Sequence, residues 1–401
     1  MMMTTSKLPR GWRWARLGDV CEIIAGQSPP GDTYRKAPEG LPFFQGKADF
    51  GIRHPVARVW CVAPRKIARP GDILISVRAP VGPTNIADVK CCIGRGLSAI
   101  KPGENTNRDF ILFALRFYEK YLAELGSGST FSAIKQSDLK LLKVPLPPLE
   151  EQKRIVAILN EKMATIERAR AAAEAQLEAA QALPAAYLRE VFEGPGAERW
   201  PRHPLGNVSS ILAGITKGRK LPFGTEVYSV PYLRVANVQD GYLDLSEITY
   251  IEATESEIGQ YALRRGDLLL TEGGDPDKLG RGTFWEEQIP GCIYQNHVFR
   301  VRFDSSQLLP AFVSAQMSSP YGKAYFLAKA RQTTGIATIN RSILSNFPLM
   351  IPALSEQQSI VEHLSARMET PKRLVTSLQE QRDTVNAMPN ALLRQAFSGE
   401  L

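Results

Sequence analysis

The residue groupings in this chain that could do chemistry are few, and each fails on spacing. A phosphate-cradling glycine loop needs four residues between its first glycine and a Gly-Lys-Ser/Thr triplet, so that backbone N–H groups and a hydroxyl reach phosphate and magnesium. The stretch from Gly40 to Gly46-Lys47-Ala48 has five and lacks the hydroxyl. Gly126-Ser127-Gly128 lacks the third glycine of a dinucleotide fingerprint. Asp275-Pro276-Asp277-Lys278 carries the acidic and basic groups of a metal-nuclease fragment, but no Glu-x-Lys comes after it, and it reads as an acidic loop. There is no Asn/Asp-Pro-Pro-aromatic tetrapeptide of the amino-methyl-transfer kind. His54, His203, His297 and His363 are scattered and build no Ser-His-Asp or Cys-His set. Cys21, Cys61, Cys91, Cys92 and Cys292 are odd in number and lack CxxC spacing, so they read as buried free thiols of a reducing compartment rather than zinc ligands. No catalytic, cofactor-binding or metal-binding residue is therefore expected, and a chain of 401 residues without such a site points to binding.

Charge narrows the class of binding partner. The formal net charge is +8, which mildly favours a polyanion. The excess is local: residues 1–148 hold 22 Lys and Arg against 12 Asp and Glu, while residues 195–353 hold 16 against 15. Contacts to nucleic-acid phosphate need Lys, Arg and backbone amides, and base reading needs Arg, Lys, Asn, Gln, Ser or Thr. Loops rich in such groups offer Gln27, Arg35, Gln45, Lys47, Arg53, Arg65, Lys66 and Arg78 in the first half. The second half offers Lys217, Arg219, Lys220, Arg234, Asn237, Lys278, Arg281, Arg331 and Arg341. Any one of these is equally readable as solvated surface charge; the clustering is what gives them weight.

The elements that must carry these loops are written twice. Residues 129–194 and 334–399 align without a gap at an offset of 205. Pro147, Leu149, Glu151, Gln152, Ile155 and Val156 recur as Pro352, Leu354, Glu356, Gln357, Ile360 and Val361. Leu17-Gly18-Asp19-Val20 recurs as Leu205-Gly206-Asn207-Val208, and Gly71-Asp72-Ile73-Leu74 as Gly266-Asp267-Leu268-Leu269. Gly-Asp before an apolar run predicts a turn entering a buried strand. Each half is thus expected to be a mixed α/β (α+β) domain followed by a long helix. The boundaries are 1–148 for the first domain, 149–194 for a central helical spacer, 195–353 for the second domain and 354–401 for a C-terminal helical spacer. An amphipathic helix is predicted over about 108–124, with a counterpart beginning near Pro310.

In the long helices Val156, Leu159, Met163, Ile166, Ala173, Leu177 and Ala180 keep 3-4 spacing, as do Val361, Leu364, Met368, Val375, Leu378 and Val385. That is a coiled-coil seam, with Arg170 and Arg382 as misfits that either fix register or reach to solvent. Ser355 with Gln358 predicts a capping box. Pro371 predicts a kink or break, and Pro184 and Pro389 predict separate short helices. Residues 1–16 lack a signal core and no apolar run approaches 18 residues, so the expected location is cytoplasmic, with no membrane partner. Internal two-fold repetition suits a target with two half-sites, and duplex DNA is the commonest.

The repeated Pro-x-Leu-x-Glu-Gln-x-x-Ile-Val pattern, Gly94-Arg95-Gly96-Leu97, Gly71-Asp72-Ile73-Leu74 and the order domain, helix, domain, helix resemble the specificity subunit of Type I restriction–modification systems over the whole chain. The resemblance implies two target recognition domains, each reading one half of a bipartite asymmetric site in double-stranded DNA, and the two long helices pairing antiparallel as a coiled-coil spacer between them. It implies two methyltransferase (modification) subunits docked on the chain, and a restriction/translocase subunit joining them. AdoMet, ATP and Mg2+ would then sit on partners. Pro147, Leu149, Glu151 and Gln152, with Pro352, Leu354, Glu356 and Gln357, are the implied partner-docking residues. A self-contained DNA-modifying enzyme and an orphan specificity-like DNA-binding protein remain alternatives.

Overall fold

In each half a left-handed glycine turns the chain into its most buried strand. Gly71 has φ +93° and Gly266 φ +88°, a region open to glycine at little cost. The following aspartates close the turn: Asp72 Oδ2 accepts the Arg69 N–H at 2.7 Å, and Asp267 Oδ2 accepts the Arg264 N–H at 2.8 Å. The strands that emerge, Ile73–Ser76 and Leu268–Thr271, are buried at every residue. The computed structural model describes residues 8–126, 133–274, 279–303, 306–333 and 336–401. Two units make up the chain, Met1–Glu174 with Glu380–Leu401, and Ala175–Gln379.

In the first unit the main sheet runs in the order Cys21–Ala25, Leu97–Pro102, Ile73–Ser76, Thr84–Ile86, antiparallel throughout. Leu41–Phe44 pairs in parallel with Cys91–Ile93 in a second sheet. A ribbon of Arg13–Arg16 with Lys143–Leu146 brings the ends of the domain together. The second unit repeats this plan. Its main sheet is Ser209–Ala213, Val298–Phe303, Leu268–Thr271, Gly282–Phe284. Tyr228–Leu233 pairs in parallel with Ile293–Tyr294, and Arg202–Pro204 pairs antiparallel with Pro348–Met350. The fold is mixed α/β, as the alternating strand and helix patterns require.

The predicted 108–124 helix is two helices, Arg108–Phe117 and Glu119–Gly126. Asn107 caps the first by accepting the Phe110 N–H at 3.0 Å. Its counterpart starts at Pro310, as predicted, and runs to Ser318. The long helices span Leu149–Phe192 (44 residues) and Leu354–Ser398 (45 residues). Both run through their prolines, so the expected breaks at Pro184, Pro371 and Pro389 are absent. Burial of the helix ends beyond Pro184 and Pro389 outweighs the missing hydrogen bond, a cost of about 3 kcal/mol. Leu188 and Phe192 enter the core of the second unit, and Leu392, Leu393, Ala396 and Phe397 that of the first. Phe397 lies 5.3 Å from Phe110 and 5.2 Å from Phe117, ring centre to ring centre.

The capping box also fails to form. The second long helix begins at Leu354, so Ser355 lies inside its first turn, and Gln358 Nε2 donates to Glu362 Oε1 at 3.2 Å. Within the second unit Leu177 and Ala180 pack with Val375 and Leu378. There Arg367 Nη1 donates to Glu190 Oε2 at 2.8 Å and its guanidinium covers the Tyr187 ring. Within the first unit Arg154 Nη2 donates to the Leu401 carbonyl at 2.6 Å. Arg170 pairs with Glu167 and Glu174, and Arg382 with Asp383, so both seam misfits reach outward to neighbours on their own helix. Among the described residues no helix is long and apolar enough to cross a membrane.

Candidate nucleic-acid interface

The polar loops of the first unit are drawn to one end of its sheets by main-chain hydrogen bonds. Gln27 N–H donates to the Ile93 carbonyl (3.0 Å), Gly94 N–H to Phe44 (2.8 Å), Val77 N–H to Gly96 (2.9 Å) and Ile134 N–H to Val77 (3.0 Å). The approach at the first of these contacts leaves no room for a side chain: a Cβ on Gly26 would stand 2.2 Å from the Gly94 oxygen. The second unit repeats the set. Ile215 N–H donates to Tyr294 (2.8 Å), Gln295 to Leu233 (2.9 Å), Glu272 to His297 (2.9 Å) and Ile339 to Glu272 (2.8 Å). A Cβ on Gly214 would stand 2.0 Å from the Tyr294 oxygen. One backbone frame thus carries two sets of side chains.

At this end of the first unit Gln27, Gln45, Lys47 and Arg78 are exposed. Arg65 and Lys66 are exposed beside it, Lys66 offering its carbonyl to the Ile93 N–H. Arg35 and Arg53 are less free. Arg35 donates to the carbonyls of Asp32 (2.8 Å) and Tyr34 (3.0 Å), and the exposed Arg53 stands 3.7 Å from Asp109. Gly46 with Asp49 shapes the loop: the Asp49 carboxylate accepts the Gln45 and Gly46 N–H groups.

In the second unit Lys217 and Lys220 are exposed, while Arg219 is clamped on Glu257 through Nε (2.5 Å) and Nη2 (2.6 Å). That pairing holds the Glu257 carboxyl down to about 2. Asn237, expected to face DNA, is buried. Its Oδ1 accepts the Arg234 N–H (2.8 Å) and its Nδ2 donates to the Asp244 and Glu247 carbonyls (2.8 and 3.0 Å). It does for this loop what Asp49 does in the first unit, so its signal was one of turn chemistry. Arg234 is half-buried with Nη2 3.3 Å from Glu247, and Arg281 Nη1 donates to Gln239 at 3.3 Å. Arg331 is exposed opposite Thr338, and Arg341 is exposed at the start of a short helix, Arg341–Ser345. Lys278 and the rest of Asp275–Lys278 lie outside the described residues.

Two positions at this end escaped the sequence reading. Arg95 is exposed on the loop that joins the two sheets, its N–H held by Ser28 Oγ at 3.2 Å. It sits in Gly94-Arg95-Gly96-Leu97, whose glycines were the available signal. The matching stretch of the second unit brings His297 to Glu272, Nδ1 to Oε2 at 2.6 Å. Burial pushes the thiols of Cys21, Cys91 and Cys292 up to about 12 and that of Cys92 to about 11, which suits packing rather than nucleophilic chemistry.

The repeated Glu-Gln motif has an inward half. Gln152 is buried; its Oε1 accepts the Asn107 N–H at 2.8 Å and its Nε2 donates to the Pro147 carbonyl at 2.9 Å. Gln357 repeats this with the Leu309 N–H (3.0 Å) and the Pro352 carbonyl (2.9 Å). Both glutamines, and the buried Pro147 and Pro352, are therefore unavailable as a docking surface, contrary to expectation. Leu149, Glu151, Leu354 and Glu356 remain at least partly exposed, with Glu356 Oε1 accepting the Trp200 indole N–H at 3.1 Å.

The model of the Type I restriction modification DNA specificity domain matches this chain twice, at residues 9–179 and 199–374, and the chain belongs to that family. Among its relatives, the EcoKI type I restriction enzyme specificity subunit of Escherichia coli is 26% identical over the whole chain and 91% of its own length. The protein described as the MjaX type I restriction enzyme specificity subunit of Methanocaldococcus jannaschii is 46% identical over 157 residues, 38% of this chain and 37% of that protein. The crystal structure of the HsdS subunit from Thermoanaerobacter tengcongensis is 54% identical over 40% of each chain, with a TM-score of 0.38.

Proposed function

We propose that this chain is the non-catalytic, sequence-reading subunit of a Type I restriction–modification assembly, acting in the cytoplasm on double-stranded DNA. Each unit reads one half of a bipartite, asymmetric site. One observation carries the reading: the two units hold their loops with the same main-chain bonds but present different side chains there. Arg95 is matched by Asn296 and Gly96 by His297, while the exposed Gln27 is matched by Ile215, which turns inward to the core. Equal frames with unequal faces suit two unlike half-sites.

The long helices pair antiparallel as a coiled-coil spacer, giving the chain pseudo-two-fold symmetry. The contacts of Leu177 and Ala180 with Val375 and Leu378, and of Arg154 with Leu401, support this. Two methyltransferase subunits dock on the duplicated surfaces around Leu149 and Glu151 and around Leu354 and Glu356, since equal partners need equal surfaces. A restriction/translocase subunit joins through them. AdoMet, ATP and Mg2+ belong to these partners.

Labelled methyl transfer to DNA tests the reading. The isolated chain transfers none, and adding the methyltransferase subunit gives methylation at one bipartite sequence. Exchanging residues 1–145 for another such domain changes one half-site and leaves the other. Robust transfer by the isolated chain, or change in both half-sites, would overturn it.

A further inference from the structure

We propose that His297, oriented by Glu272, is a specificity-determining residue: it reads an exocyclic amino group of adenine or cytosine in the major groove of one half-site. This rests on the DNA-reading function above and names a residue and a chemical group for it.

A carboxylate only accepts hydrogen bonds, so the 2.6 Å contact from Nδ1 to Glu272 Oε2 puts the imidazole proton on Nδ1. In the neutral tautomer that this contact selects, Nε2 is an acceptor. The His297 side chain is 57% exposed and that of Glu272 32%, so the pair faces solvent at the end where the loops meet. It is also rigid. The Glu272 N–H donates to the His297 carbonyl at 2.9 Å, and the Glu272 carbonyl accepts the Ile339 N–H at 2.8 Å. The ring therefore has its orientation before DNA arrives, and little side-chain entropy remains to be lost on binding.

The charge selects the ligand. A carboxylate backing the ring repels phosphate, and an acceptor at Nε2 is mismatched with guanine N7 and O6 and with thymine O4. It fits the N6 amino group of adenine or the N4 amino group of cytosine. A metal role lacks its other members: among the described residues no three His, Cys, Asp or Glu side chains gather as a metal site would need. The first unit has no equivalent, because Gly96 stands at the matching place and a Cβ there would lie 2.2 Å from the Gln45 oxygen. The effect is thus confined to one half-site.

The test uses the full-length chain. Duplexes selected from a random library by the wild type define the site. Duplexes of that site are then made with one amino group deleted at a time, purine replacing adenine or 2-pyrimidinone replacing cytosine. At one position of one half-site the deletion weakens wild-type binding about ten-fold, the scale of a lost base contact. His297→Ala binds the intact duplex with the same loss and is insensitive to that deletion. His297→Gln, which retains an acceptor, recovers sensitivity, and Glu272→Gln weakens it at the same position. If no deletion has an effect that depends on residue 297, or if His297→Ala only weakens binding to all duplexes alike, the proposal is overturned. A wild type that selects no sequence would instead overturn the DNA-reading function, and this inference with it.

Discussion

Gln152 Oε1 accepts the Asn107 N–H at 2.8 Å, joining the first turn of a 44-residue helix to the cap of the helix Arg108–Phe117. Gln357 makes the same joint in the second unit through Leu309. The most repeated motif of the chain is, at its glutamine, an internal fastening. Gln152→Ala and Gln357→Ala each leave a partly buried N–H and a buried carbonyl unpaired. Each should cost about 1–3 kcal/mol, the desolvation penalty of orphaned groups. Thermal melting should register a drop of about 2–4 °C per kcal/mol for units of this size. Equal melting of wild type and both variants would mean the bonds contribute nothing.

The close approach at Gly26 and Gly214 leads to a second expectation. An added Cβ would overlap main-chain oxygens that already accept hydrogen bonds in or beside the strands. Gly26→Ala and Gly214→Ala should each destabilise by about 1–3 kcal/mol through overpacking. Each should also weaken one half-site only. Urea unfolding and binding to duplexes scrambled in one half-site at a time measure the two effects.

The Arg219–Glu257 clamp gives a pH signature. The Glu257 carboxyl is held at about 2 in the folded chain by its bonds from Arg219, below the ordinary value of about 4.3 in an unfolded chain. A depressed folded value means the contribution is present above about pH 4.3 and is lost as pH falls toward about 2. The pair is partly solvent-exposed, so screening reduces its worth to about 1 kcal/mol. The stability gap between wild type and Glu257→Gln should be constant from neutral pH to about 5 and close below about 4. Urea midpoints at stepped pH check this; a gap that widens in acid would contradict it.

Phosphate contacts should appear in salt dependence. Log affinity falls with log salt by about 0.9 per phosphate neutralised. Lys47→Ala and Arg95→Ala should each lower that slope by about 1 and weaken binding to every sequence alike if they touch phosphate. Arg53 has Asp109 as a neighbour at 3.7 Å, so Arg53→Ala should change the slope less. Titrations at several salt concentrations decide among the three.

The parts legible in the sequence were those with a fixed local cause. Gly71-Asp72 and Gly266-Asp267 announce a turn into a buried strand, and Pro310 a helix start, because each rests on backbone conformation at one or two residues. The prolines misled because their local cost is set against distant gain: Phe192 and Phe397 enter cores built by residues far away in the chain. Asn237 misled because a groove-reading side chain and a turn-capping one are the same residue type. Arg95 and the His297–Glu272 pair stayed hidden for a different reason. Only the hydrogen bonds between separate strands bring residues 26–28, 44–46, 77–78 and 94–96 to one end, and spacing along the chain does not carry that information.

Those bonds run almost entirely from main chain to main chain. Such a frame is indifferent to which side chains it displays, provided the few cramped glycines are kept. Substitutions at Gln27, Arg95 or Asn296 can therefore accumulate without eroding the fold, and the target sequence can drift while the scaffold is inherited unchanged. A lineage carrying this chain can rewrite what it recognises through single-codon changes, one half of the site at a time.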